Sequence, residues 1–503
     1  MLGSSEIATG LDKPAIVERA TRHRVVQVVP VLLLAGTFLL YSQTWAFSWD
    51  ESYHLLAAQL IAAGKTPYID FCFPQTPLNA YWNAGWMSLL GQSWHVAHLF
   101  AALLTVVGVL TIADFVARRF PVAEWRLPAA GVTWLAAGSN ARVLFNATVG
   151  QPYGMCLLAL AVAFRFAVSA VAGAGLVRAG LAGLFAGTAA GASLLTAAAT
   201  PVLLVWLFIN NRAGSRWRKC LAFLSGAAVP FFPVFWLFVQ APQQTWFNVV
   251  QYHAIFRNLY WPGTTQHDLE VLTSWIDSGQ AVTILVLAIS GLWYVTRIFD
   301  WPKPVKAEFS LCAWLASGLG VEIALAHPTF PQYFLLTVPF LAILAAAGMY
   351  GIRSQLAEWG GVAAIWLFAL VMVFGLGRAL YDRQQYSTWS DYESIAAVVE
   401  QVTPTNAPVF AQEPIYFLTR RLPPPGHELS YSHKVYLPAP ERARLHIITE
   451  DEMKQQVRSG MFATAVSCDD DEIAADGLSE LYLKSTPVSD CFVFSGLRRP
   501  ESH

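Results

Sequence analysis

Long apolar segments recur along most of this chain, and they restrict it to one class of fold. A run of about 20 predominantly apolar residues crosses the hydrocarbon core of a bilayer as a helix. Backbone inside that core has to satisfy its hydrogen bonds internally. Eleven segments qualify or nearly do, near residues 25–46, 96–117, 127–141, 152–170, 178–194, 197–210, 219–240, 281–298, 308–326, 333–351 and 360–378. Only 13% of the 503 residues are charged, while 55% are hydrophobic; soluble domains carry roughly 25% charged residues. The expected fold class is an α-helical multi-pass membrane protein with about eleven transmembrane helices. The net charge of −1 hides an uneven distribution and says little about partners, whereas the placement of Lys and Arg bears on topology; no nucleic-acid partner is expected.

The basic residues set the expected orientation. With the N-terminus inside, Arg118, Arg119 and Arg126, the group Arg212 to Lys219, and Arg297, Lys303 and Lys306 all fall on one side, against Lys65, Arg142 and Arg257 on the other. The positive-inside rule then makes residues 1–24 a cytoplasmic segment. The run Val25 to Phe47 is longer than the apolar core of a signal peptide and is read as a retained first helix. Residues 25–378 form the transmembrane domain, with outer loops 47–95 and 241–280. In residues 379–503 charges and prolines increase, and short strand-like and helix-like patterns alternate. Ser390 to Gln401, Glu450 to Ser459 and Asp470 to Leu481 are expected helical, and Ala407 to Ala411, Phe462 to Cys468 and Asp490 to Phe494 strand-like. A small α/β extracytoplasmic domain is expected there, in a compartment that permits Cys468 and Cys491 either to pair or to remain two buried thiols.

The outer loops carry the chemistry-bearing residues. Asp50 and Glu51 follow the first apolar segment, and Ser52 to Ala63 has the spacing of an amphipathic helix lying on the membrane surface. The order of features resembles that of the GT-C membrane glycosyltransferases. More narrowly, it resembles the bacterial relatives of the protein O-mannosyltransferases (glycosyltransferase family 39), a group that includes the lipid A aminoarabinose transferase and the rhizobial core galacturonosyltransferases. The matching pieces are Asp50-Glu51, the run Gly64-Lys65-Thr66-Pro67-Tyr68-Ile69-Asp70, and Pro77-Leu78-Asn79-Ala80-Tyr81-Trp82. Leu90-Gly91 ahead of the second span and the Gln332-Tyr333 to Pro339 entry into a late span complete them. The chain departs from some relatives at Thr76, where a basic residue stands, and in Asn146 to Gln151, which offers no acid.

The resemblance implies an enzyme that takes a sugar from a polyprenyl-phosphate carrier and transfers it, with inversion, to a lipid, glycan or protein acceptor on the outer face of the inner membrane. Such a reaction needs a base beside the acceptor hydroxyl and cationic donors at the leaving phosphate. Asp50 is the expected base, with Glu51 orienting or binding the acceptor or sugar; the alternative is that Asp50 or Ser52 caps the surface helix, with Glu51 in its favourable first turn. Asp70 is expected to bind sugar or to close a turn. Arg257 is the first candidate for the phosphate, or else a headgroup anchor, with Lys65 and His327 behind it. Glu322, costly within a span, is expected to line a cavity or to be an inter-helix partner for Arg165 or a hydroxyl. No metal and no cofactor beyond the lipid-linked co-substrate is expected. A permease and a non-catalytic envelope-assembly protein are the competing classes.

Overall fold

The computed structural model describes residues 13–173, 175–211, 213–256, 263–430, 435 and 437–498. All eleven apolar segments are helical there. Among the described residues eight helices are long and apolar enough to cross a bilayer by themselves, from Trp94–Arg119 through Glu358–Arg383. The first helix, Lys13–Thr44, is followed after a sharp bend of 79° by Trp49–Ala62. The remaining two segments, Arg126–Gly138 and Leu194–Asn210, are shorter. Gly175–Ala192 and Ala213–Ala228 approach so closely that a Cβ on Gly183 would lie 1.8 Å from the Phe223 carbonyl oxygen. Small residues permit this backbone contact, which stands in for the hydrophobic drive that lipid removes.

The helix ends sort into two faces. The C-terminal ends of the first, third, ninth and last apolar segments contribute Asp50, Arg142, Phe330 and Arg383 to one cavity, so every one of these odd-numbered segments finishes at the same end of the bundle. At the opposite end Arg119 pairs with Glu308, and Asp114 accepts from Arg165 at 2.5 Å and Arg118 at 2.8 Å.

The helix Trp49–Ala62 departs from the expected surface helix. Leu55, Leu56, Ala57, Ala58 and Leu60 are buried, because Leu78–Leu90 packs on one side and Glu413–Leu418 from the polar domain on another. The last membrane helix runs to Arg383, and the polar domain begins with Trp389–Val402, held at its start by a capping box between Thr388 and Asp391. Its sheet has strands β1 (Val409–Phe410), β2 (Thr464–Ser467), β3 (Tyr482–Val488) and β4 (Cys491–Leu497) in the order β1-β2-β4-β3. β1 and β2 are parallel and the other pairs antiparallel. β3 was not anticipated: it is a largely exposed edge strand carrying Pro487, the position where a sheet tolerates proline. Cys468 and Cys491 form a disulfide across the sheet.

Candidate active site

The cavity between bundle and polar domain has a volume of about 550 Å³. Its floor comes from the exit of the first helix, its walls from the loops at this end of the bundle, and its roof from Ser387, just ahead of the polar domain, and from Leu429 and Val435 within it. Asp50 lines it from the first turn of Trp49–Ala62. Arg142 enters from the short helix Ala141–Ala147, and Arg383 from the last turn of the last membrane helix. The amides of Gln75, Asn146 and Gln332 and the rings of Trp49, Tyr333 and Tyr386 complete a lining suited to hydroxyls and sugar faces.

The two arginines are held differently. Arg383 donates to the Phe47 carbonyl and lies with its guanidinium carbon 5.4 Å from the ring centres of both Phe145 and Tyr386. The guanidinium of Arg142 has no ion-pair or hydrogen-bond partner among the described residues. Its side chain is exposed into the cavity, and desolvation by the surrounding protein, with the neighbouring Arg383 second, presses its pKa down. Two guanidiniums side by side in one cavity, with no carboxylate paired to either among the described residues, favour an anion there.

Glu51 does not reach this cavity. It is 0% exposed, and its oxygens accept from the Gly150 amide at 2.8 Å and Trp389 Nε1 at 3.3 Å and contact His98 Nε2. The carbonyl of Gly150 accepts in turn from Asn79 at 3.0 Å and Asn83 at 2.9 Å. One helical step of about 100° separates adjacent side chains, so Asp50 faces the cavity while Glu51 faces the interior.

The other expected ligands are engaged elsewhere. Asp70 closes a turn by accepting from the Thr66 amide at 2.7 Å, the second of its two expected roles. Glu322 accepts from the Ala198 amide at 2.9 Å, satisfying a donor at the start of Ala199–Asn210 that lipid would leave bare; Arg165 pairs with Asp114 instead. His327 is tied to Asp268, whose second oxygen accepts from the Thr329 amide at 2.7 Å, so this histidine braces the loop that carries Phe330 and Gln332. Lys65 ends the turn after Trp49–Ala62 and faces Glu428, outside the cavity lining. Arg257 lies outside the described residues. Among the described residues no three His, Cys, Asp or Glu side chains converge as a metal site.

No protein-family model and no curated protein matches the sequence. Solved structures do. ArnT from Cupriavidus metallidurans, bound to undecaprenyl phosphate, superposes with a TM-score of 0.67 over 94% of this chain and 99% of that one, at 16% identity. The archaeal oligosaccharyltransferase AglB from Archaeoglobus fulgidus, in complex with an inhibitory peptide and a dolichol-phosphate, gives 0.53 over 96% of this chain and 75% of that one, at 12% identity. The chain has the GT-C fold. Since the overlap with ArnT leaves out only a small share of the chain, the GT-C likeness extends beyond residues 25–350, where the sequence motifs lie, into the polar domain.

Sequence reasoning placed Arg142 on the outer side but not in the site, and missed Arg383. The signal available for Arg142 was scarcity, since only three cations stood on that side before the tail. Arg383 in the last turn of a membrane helix has the pattern of an ordinary interfacial anchor.

Proposed function

We propose that the chain is an inverting glycosyltransferase that moves a sugar from a polyprenyl-phosphate carrier to an envelope lipid, glycan or protein at the outer face of the inner membrane. The observation that carries this reading is the lining of one cavity by Asp50 together with Arg142 and Arg383, where the membrane helices meet the polar domain. Asp50 takes the proton of the acceptor hydroxyl as its oxygen bonds to the anomeric carbon. The bond from that carbon to the phosphate oxygen breaks, and the phosphate leaves with the electron pair. The two guanidiniums stabilise the charge that develops on it. Counting Asp50, the two arginines and a phosphodiester, the formal charge is zero before transfer and zero afterwards, because Asp50 becomes neutral as the phosphate gains its second charge.

The bound carriers of the ArnT and AglB structures support a lipid-phosphate donor. The basic residues at the opposite end of the bundle support an N-terminus in the cytoplasm, and the Cys468–Cys491 disulfide supports an exported polar domain. Mass comparison of envelope lipids, glycans and exported proteins between a deletion strain complemented with wild type and one complemented with Asp50→Asn tests the reading. The wild type restores a glycosylated species and the variant does not; restoration by the variant would remove Asp50 from the chemistry.

A further inference from the structure

Glu51 is more deeply committed than a helix-capping residue needs to be. Its two oxygens serve three nitrogen groups from three separate parts of the chain: the Gly150 amide, the Trp389 indole of the polar domain and His98 of the membrane helix Trp94–Arg119. The other ring nitrogen of His98, Nδ1, meets the Ser42 carbonyl at 2.5 Å. A carbonyl only accepts, so Nδ1 carries hydrogen, and Nε2 meets the carboxylate through one proton that the pair shares. A fully buried acid and imidazole thus stand together one residue from the base, at 0% exposure on both side chains.

Such a pair is expensive to bury and contributes little stability over an apolar substitute, so its retention asks for another purpose. The connections point to one. Ser48 starts the helix that carries Asp50 without capping it through its own side chain, and Gln151 donates to the Ser48 hydroxyl at 2.8 Å. Gly150 is held at both ends, by Glu51 and by Asn79 and Asn83. Trp389 follows Tyr386 and Ser387 of the cavity lining, stacks on Trp94 at 5.8 Å and meets Phe47 edge-on at 5.5 Å. Through Glu51, the seating of the polar domain and the first turn of Trp49–Ala62 become one unit.

We propose that Glu51 is a positioning residue, which with His98 and Trp389 makes the docked polar domain a condition for the placement of the Asp50 carboxylate in the cavity. The proposal rests on the functional reading above. Replacement by glutamine leaves one oxygen acceptor where two now serve three donors, so the side chain fits but the junction is under-satisfied. Replacement of Trp389 by phenylalanine keeps an aromatic ring and removes only the N–H.

The test uses the full-length protein, with undecaprenyl phosphate as binding probe and product measured per inserted, monodisperse molecule. Glu51→Gln is expected to bind the probe within about twofold of wild type and to lose about tenfold or more in product, the mark of a misplaced reacting group. Trp389→Phe is expected to lose about threefold, and the double variant no more than Glu51→Gln alone, since the two act through one junction. A merely structural role would lower thermal stability and the yield of inserted protein without changing product per molecule. Wild-type product from Glu51→Gln, multiplicative losses in the double variant, or loss of probe binding along with product would overturn the proposal. Where Glu51→Gln does not insert, full product from Trp389→Phe overturns it. Product from Asp50→Asn would instead sink the functional reading and leave the junction to be judged by the other two variants.

Discussion

The two ends of the helix bundle treat charge in opposite ways. At the basic end Arg119 is matched by Glu308, and Arg118 and Arg165 share Asp114. At the cavity end Arg142 and Arg383 stand near one another with no carboxylate paired to either among the described residues, and Asp50 lines the same space. Paired charges hold helices together, whereas two neighbouring guanidiniums with no carboxylate on either favour an anionic ligand. That contrast, more than the number of polar residues at either end, marks where chemistry takes place.

The contrast breaks most visibly at Asp50. Asp50→Asn is expected to reduce product by about 10²- to 10⁴-fold, the range for removal of a general base, while undecaprenyl phosphate still binds. Retained product would assign the base to another group. Next come the cations. Arg142→Ala and Arg383→Ala are each expected to weaken undecaprenyl phosphate binding by about 10- to 100-fold, from the roughly 1.5–3 kcal/mol of a hydrogen bond to a charged group. Arg142→Ala should do so without loss of thermal stability, because no protein group loses a partner; Arg383→Ala also forfeits its bond to the Phe47 carbonyl and two ring contacts. Equal binding by wild type and both variants would move the phosphate elsewhere.

How far the sequence reaches into this picture depends on the kind of force involved. Apolar runs are long and one-dimensional, so all eleven segments could be read directly, and the alternating patterns of the tail located its main helices and three of its four strands. β3 escaped because an exposed edge strand with a proline has no apolar face to announce it. Asp50 was legible because it follows directly on the first apolar segment. Asp70, Glu322 and His327 looked like ligands because a polar residue near a membrane surface asks for a partner. The partners turned out to be the Thr66 amide, the Ala198 amide and Asp268, and no pattern in a sequence says which backbone N–H a carboxylate will find. Glu51 shows the same limit, since its neighbours His98, Gly150 and Trp389 are brought together only by folding.

The basic end gives the complementary prediction. Arg119→Ala leaves Glu308, 5% exposed at its side chain, without its partner. A fully buried pair broken in this way costs about 3–5 kcal/mol, and the 40% exposure of Arg119 reduces the expected loss to about 2–3 kcal/mol. Carrier binding and product per folded molecule should not change. A thermal unfolding scan in detergent, run beside Arg142→Ala, separates the two kinds of arginine: one variant loses stability and keeps the ligand, and the other does the reverse.

The smallest effect is expected between these extremes, at Glu428 in the polar domain. It accepts from the Gly426 amide and faces Lys65, but burial outweighs both and raises its pKa to about 7. The folded form therefore holds this proton more tightly than the unfolded chain does. The contribution is fully present below the ordinary carboxylate value of about 4.5 and declines as pH rises towards 7. At 1.36 kcal/mol per unit the ceiling is roughly 3 kcal/mol, and partial exposure reduces the expected loss to about 1 kcal/mol. Thermal unfolding at pH 5 and pH 8 should show wild type losing more stability at the higher pH than Glu428→Gln, which cannot ionise. An equal change in both would mean that Lys65 compensates Glu428 fully, placing it with Glu308 rather than between the two ends.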